Sequence, residues 1–164
     1  MRTERIRAAA AATALLLGVA LPAAGQEAIG DFYLFERADP DSGDDRSSVT
    51  TLADESYVSG AGGLTFRCAE DGLEMVLTAT YLGRKMSTPV RFAFGEDEPS
   101  RATWILRSSG MAAIAPDDVR EDFIQRAADQ STVVFHASDF QLRSHTYTFN
   151  LTGLNEALSR LSCR

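Results

Sequence analysis

A two-residue alternation of apolar and polar side chains, running from residue 64 to residue 79, constrains this chain more than any other feature. Successive side chains of a β-strand point to opposite faces, so this period predicts strands with one buried face. A polar turn at residues 70–72 divides the run and predicts a hairpin over residues 63–80. The apolar positions are Leu64, Phe66, Cys68, Leu73, Met75, Leu77 and Ala79.

Further strands follow the same reasoning. We expect strands at residues 89–94, 102–107 and 111–115, which continue the hairpin as a meander with a turn at residues 108–110. Residues 31–37 and 48–53 predict two early strands, and the glycine-rich segment 59–63 predicts a flexible joint. A last hairpin around residues 139–143 is indicated by Val133, Phe135, Tyr147, Phe149 and Leu151.

Two helices are expected to interrupt the strands. Pro116, followed by two aspartates, favours a helix start, because proline suits the first turn and acidic groups complement the helix dipole. Val119, Phe123 and Ala127 then share one face. Thr152 is the expected cap of a second helix that carries leucines at i, i+4 and i+7 and ends near Cys163. The predicted fold is mainly β, either one antiparallel β-sandwich or a curled sheet with two short covering helices.

The N-terminus predicts a secretory signal peptide at residues 1–25. Three arginines within the first seven residues precede Ala8–Leu21, a nearly uncharged run. That run is shorter than the roughly 20 apolar residues of a membrane span, and small residues follow it. The alternative, a buried helix of the fold, leaves the basic flank unexplained. We therefore expect cleavage after Gly25 and one β-rich domain, residues 26–164, that is periplasmic or secreted and has no membrane anchor.

Cys68 and Cys163 are the two cysteines of the sequence. In an oxidising compartment such a pair most simply forms one structural disulfide. A catalytic or redox thiol would call for a Cys-x-x-Cys pair or a nearby base, and a zinc site would need more ligands than two cysteines and two separated histidines supply. The sequence therefore predicts a Cys68–Cys163 bridge and no cofactor.

The net charge of −7 restricts the partners of the chain. Nucleic acid and anionic lipid attract positive surfaces, so neither is an expected partner. Arg84 and Lys85 could contact an anionic partner, but two charges at a strand end are usually only solvated. We expect no nucleic-acid binding.

His136 and His145 lie on the two strands of the last predicted hairpin. His145 shares the parity of Tyr147 and Phe149, whereas His136 lies opposite Phe135 in parity. If both apolar stripes face the core, the two imidazoles lie on opposite sides of the sheet and cannot form a shared metal or catalytic site.

The acidic segment at residues 39–45 is a candidate calcium loop, because hard cations favour clustered carboxylates. Its spacing differs from that of an EF-hand: Gly43 stands at a side-chain ligand position, and Thr50 replaces the closing Glu. We favour a solvated turn and keep calcium binding as the alternative. The sequence contains no Gly-x-Ser-x-Gly motif that would indicate a serine hydrolase.

A set of segments spread over most of residues 31–163 carries a family resemblance. Its most distinctive elements are the order of the two cysteines and the closing Phe-x-Leu-x-Gly-Leu segment. The residues concerned are Leu64–Cys68, Tyr81–Leu82, Pro89–Phe92, Trp104, Ser108, Phe123–Ile124, Phe149–Leu154, Ala157–Leu158, Leu161 and Cys163. In these segments the chain resembles the type VI secretion system-associated accessory proteins of the TagO/VasI kind. The resemblance implies a periplasmic accessory protein with no established catalytic residues.

The expected function is therefore a noncatalytic periplasmic accessory or protein-binding module, associated through the resemblance with a type VI secretion system. We expect no catalytic, cofactor-binding or metal residues and a protein partner in the cell envelope. Two alternatives stay open: an invasion- or adhesion-type envelope protein, and a small envelope-active hydrolase, which would need an acid, base or nucleophile held in a cleft. The sequence does not define the oligomeric state.

Overall fold

The computed structural model describes residues 26–54, 62–79 and 81–164. These residues contain ten strands and two helices. The predicted signal peptide and most of the predicted joint at residues 59–63 lie outside these residues. The strands are β1 Gln26–Ile29, β2 Phe32–Phe35, β3 Ser48–Leu52, β4 Gly63–Ala69, β5 Gly72–Thr78, β6 Ser87–Ala93, β7 Ser100–Leu106, β8 Ala112–Ile114, β9 Thr132–Ser138 and β10 Ser144–Asn150. The helices are α1 Asp117–Ala127 and α2 Leu154–Ser159.

All of these strands pair antiparallel in one sheet, with the order β1-β2-β3-β4-β5-β8-β7-β6-β9-β10. The predicted meander through residues 63–115 is wrong in one respect, because β8 and not β6 pairs with β5. Val76 of β5 lies opposite Ile114 of β8, and Val90 of β6 lies opposite Ala137 of β9. The β6–β7–β8 unit is therefore inserted in reverse order, which leaves the outer edge of β6 free for β9.

The sheet curls on itself. Just beyond β3, the Asp54 amide donates to the Thr148 carbonyl of β10 at 2.8 Å, and the Asn150 side-chain amide donates to the Asp54 carboxylate at 2.8 Å. These contacts join the end of the third strand to the last strand of the same sheet. Of the two predicted architectures, the structure is the curled sheet, with a mainly β composition as expected.

The core lies inside the curl and is built from the alternating apolar positions. Helix α1 covers it with Phe123, whose ring centroid lies 5.3 Å from Phe92 and 5.9 Å from both Phe66 and Phe135. Aromatic rings pack favourably at these separations. The predicted α1 face is confirmed, since Phe123 and Ala127 are buried and Val119 packs against the core.

Helix α2 begins differently from the prediction. Gly153, not Thr152, is its N-cap residue, and no side chain caps the helix. The Thr152 carbonyl instead accepts the Asp31 amide at 2.9 Å, which ties the segment to the β1–β2 turn. Gly153 has φ of 86°, and a Cβ there would come within 2.5 Å of the Ile29 carbonyl oxygen. The close approach of the two backbones therefore decides how α2 starts.

The predicted disulfide is confirmed. Cys68 of β4 and Cys163, in the turn that follows α2, are bonded with a Cα–Cα distance of 5.6 Å. The bridge fastens the C-terminal segment to the end of β4, next to the β4–β5 turn. In the described part of the chain, no helix is long and apolar enough to cross a membrane.

Candidate functional site

The two histidines lie on opposite faces of the β9–β10 hairpin, as the strand parity predicts. His145 is paired with Ala137, which is buried, whereas His136 is paired with Thr146 on the outer face. The Thr146 hydroxyl lies 3.0 Å from Nδ1 of His136. The sheet separates the two rings, so they do not form a common site.

His145 takes part in the turn between β9 and β10. Its Nε2 lies 3.0 Å from a carboxylate oxygen of the buried Asp139. The backbone amides of Gln141 and Arg143 donate to the other oxygen at 2.8 and 2.9 Å, and the Arg143 guanidinium donates at 2.7 Å to the oxygen that lies near His145. Burial raises the pKa of Asp139, but the bonds from His145 and Arg143 outweigh it and hold that pKa well below its usual range. The carboxylate therefore organises the turn.

That turn belongs to an exposed apolar surface. Three loops, residues 81–86, 107–111 and 139–143, meet at one end of the sheet, and we call this the loop end. The Tyr81 and Phe140 rings lie 5.4 Å apart, and the Leu82 amide donates to the Gly110 carbonyl at 2.6 Å. The exposed apolar side chains of the loop end are Tyr81, Met86, Met111, Phe140 and Leu142.

The degree of exposure at the loop end is unusual for side chains of this type. Met86 is 87% exposed, Leu142 84% and Phe140 59%. Leu142 also has a φ of 63°, a conformation that residues other than glycine rarely adopt. Arg84 and Lys85, predicted at a strand end, border this surface and line a hollow of about 640 Å³ with Tyr81.

The acidic segment at residues 39–45 folds as a turn that uses its own carboxylates. Asp39 accepts the amides of Asp41 and Ser42 at 3.0 and 3.1 Å, and Arg46 lies 3.6 Å from it. These bonds are typical of an Asx turn. Across residues 26–54, 62–79 and 81–164, no group of three or more His, Cys, Asp or Glu side chains is arranged to hold a metal ion.

Asp45 has a different role from the rest of that segment. Its carboxylate accepts the Ser162 hydroxyl at 2.6 Å and the Ser47 amide at 2.7 Å, which links the loop to the turn containing Cys163. Burial raises the pKa of Asp45, but the hydrogen bonds from Ser162 and Ser47 outweigh it and lower the pKa to about 2. Asp45 is therefore a structural anchor for the C-terminal segment.

A polar hollow of about 580 Å³ lies beside this loop and the β4–β5 turn. Its charged groups neutralise one another. The Arg67 guanidinium lies 2.6 Å from one Glu74 oxygen, and Arg107 lies 3.1 Å from the other. These ion pairs link β4, β5 and the residue that follows β7, and they leave little net charge for a ligand.

A second hollow, of about 560 Å³, lies on the outer face of β6, β7, β9 and β10. It is lined by basic residues, and no Asp or Glu is among the described residues that line it. Arg91 is directly opposite Arg101 on one side and His136 on the other. We call these three residues the cationic row. Reasoning from the sequence missed it, because the three residues are separated along the chain and only the strand register sets them side by side.

Comparison with known proteins extends the description of the fold. A similar solved structure is that of invasion associated protein b from Bartonella henselae, with a TM-score of 0.58. The two chains are 14% identical, and the match covers 82% of this chain and 92% of that one. No family model matches the chain, and no curated protein matches it. The chain therefore shares its fold with an invasion associated protein.

Proposed function

We propose that this protein is a noncatalytic binding module of the cell envelope that recognises a protein partner through the loop end. The observation that carries the proposal is the cluster of exposed apolar side chains there. Met86 and Leu142, each more than four-fifths exposed, contribute little to the core. Contiguous exposed apolar surface is characteristic of protein-interaction sites.

The loop end also has the composition of an interface. Aromatic residues, methionine and arginine are enriched in protein–protein interfaces, and such anchors supply most of the binding free energy. Tyr81 and Phe140 pack against each other, so the partner would meet a preformed aromatic pair. Within the described residues, Arg84 and Lys85 form no ion pair. A partner with an acidic rim around an apolar centre would complement them.

The disulfide supports a location outside the reducing cytoplasm, because such bonds persist in oxidising compartments. Combined with the predicted signal peptide, it favours the periplasm or secretion. An invasion- or adhesion-type role is the second candidate, and the shared fold with an invasion associated protein favours it. A type VI secretion role rests on the sequence resemblance, and the genes adjacent to this one would test it.

The loop end can be tested by substituting its most exposed side chains. Phe140→Ser together with Leu142→Ser should abolish capture of a partner from envelope extract, because the apolar anchors are removed without touching the core. Leu52→Ser is the matched control, since Leu52 is 58% exposed on β3. The captured protein should then bind directly when purified.

Two results would contradict the proposal. Equal capture by the loop-end variant and the Leu52 variant would show that the partner binds elsewhere. An Asp45→Asn variant that folds and binds the partner normally, yet has the same cellular phenotype as deletion of the gene, would point to a catalytic or metal site instead.

A further inference from the structure

The cationic row places three basic side chains side by side on the outer face of the sheet. The register aligns Arg101 of β7, Arg91 of β6 and His136 of β9 on three adjacent strands. Adjacent strands lie about 4.8 Å apart, so the backbone positions of the row span about 10 Å. The hydroxyl-bearing residues Ser138 and Ser144 line the same hollow.

This arrangement does not stabilise the sheet. Like charges directly opposite each other on adjacent strands repel. Most of the other arginines in the described residues are paired with an acidic group. Seven of them lie within 4.0 Å of a carboxylate: Arg46, Arg67, Arg107, Arg120, Arg126, Arg143 and Arg160.

In the described part of the chain, Arg91 and Arg101 have no ion pair with a carboxylate, and no Asp or Glu lines their hollow. The chain has an excess of acidic residues, with 23 against 16 basic ones. A pair of opposed arginines without a carboxylate is therefore a local concentration of positive charge that the folded protein leaves uncompensated.

His136 lies beside these arginines and lines the same hollow. When the Thr146 hydroxyl donates to Nδ1 at 3.0 Å, the ring proton resides on Nε2. Burial and the positive charge of Arg91 both lower the pKa of His136, which favours the neutral ring. Among the residues that the structure describes, Nε2 has no hydrogen-bond partner.

We propose that the cationic row is a binding site for a tetrahedral oxyanion, a phosphate or sulfate group carried by a larger ligand. Guanidinium groups bind such oxyanions through paired, charge-assisted hydrogen bonds. The two arginines would neutralise the anion, Nε2 of His136 would donate to a third oxygen, and the hydroxyls of Ser138 and Ser144 would complete the shell. The site is separate from the loop end and extends the proposed function from protein recognition to anion recognition.

The test is a titration of the purified, oxidised protein with inorganic phosphate and with sulfate in chloride buffer, followed by NMR. We expect a saturable shift of the His136 imidazole signals, with the His145 signals unmoved. Arg91→Gln and Arg101→Gln should each weaken binding at least tenfold. Arg37→Gln, which removes an exposed arginine that lines a different hollow, should change the affinity less than twofold.

Glucose 6-phosphate and glucose 6-sulfate then distinguish the source of the anion. Tighter binding of either ester than of its inorganic ion supports the site.

Thermal unfolding followed by the fluorescence of Trp104 checks that each variant folds. Relief of the Arg91–Arg101 repulsion should leave the unfolding temperature of Arg91→Gln unchanged or raised. Equal weakening by Arg37→Gln, or no saturable shift with any of these anions, would overturn the proposal. Loop-end variants should bind the anions normally, which separates this test from that of the partner.

Discussion

Removing the disulfide should destabilise this protein strongly. Cys68 and Cys163 are 95 residues apart in sequence, so reduction releases a long loop in the unfolded chain. The chain-entropy relation gives about 4.7 kcal/mol at 25 °C for a loop of this length, and measured losses for native bridges are about 2 to 5 kcal/mol. We therefore expect the Cys68→Ser, Cys163→Ser double variant to lose about 4 kcal/mol of unfolding free energy.

Urea denaturation measures this loss directly. Trp104 is the single tryptophan and is fully buried, so its fluorescence reports the unfolding of the core. With a urea dependence of about 2 kcal/mol per molar, typical for a protein of this size, the loss should lower the midpoint by about 2 M. Wild-type protein kept reduced is the matched control and should unfold at the same midpoint as the double variant.

A small shift would refute the reasoning. If the double variant unfolded within about 0.5 M of the oxidised wild type with the same urea dependence, the bridge would contribute less than about 1 kcal/mol. The hydrogen bonds from Ser162 to Asp45 and the packing of α2 would then hold the C-terminal segment in place by themselves.

The other predictions concern acid stability, the core, α2 and export. Because the pKa of Asp45 falls from 3.8 to about 2 on folding, its contribution to stability is present above pH 4 and lost as the pH falls toward 2. Asp45→Asn should cost about 1 kcal/mol at pH 7, allowing for solvent screening, and less at pH 2, by urea denaturation. Phe123→Ala should cost about 3 to 5 kcal/mol in the same assay through the cavity it leaves. Gly153→Ala should lower the thermal unfolding temperature more than Gly43→Ala, since both residues have positive φ but only Gly153 lacks room for a Cβ. Mass spectrometry of the exported protein should find a mature N-terminus near Gln26.

Local patterns in the sequence were sufficient to predict most of the elements. The hairpin of β4 and β5 follows from alternation alone, because one buried face of a strand fixes the side-chain parity at every second residue. The same parity placed His136 and His145 on opposite faces. Helix α1 follows from its acidic first turn and the spacing of Phe123 and Ala127.

Elements without such a pattern were missed or misplaced. Strand β1, Gln26–Ile29, buries only its last residue, so it has no apolar alternation and forms because β2 offers an edge. The order of β6, β7 and β8 in the sheet depends on contacts between distant residues, and no short segment encodes it. Gly153 and not Thr152 is the N-cap of α2 because the β1–β2 turn approaches the backbone closely at this point.

The sequence by itself therefore determined the strand faces, the main helix and the cysteine pair, because these depend on spacing along the chain and on the small number of candidates. Only the tertiary structure determined which surface residues lie close enough together to form a binding site. The loop end exists because the β5–β6 connection and the turns of the β7–β8 and β9–β10 hairpins meet at one end of the sheet. The cationic row exists because the register sets Arg91 between Arg101 and His136, residues that are 35 positions apart in the chain and that only strand pairing brings together.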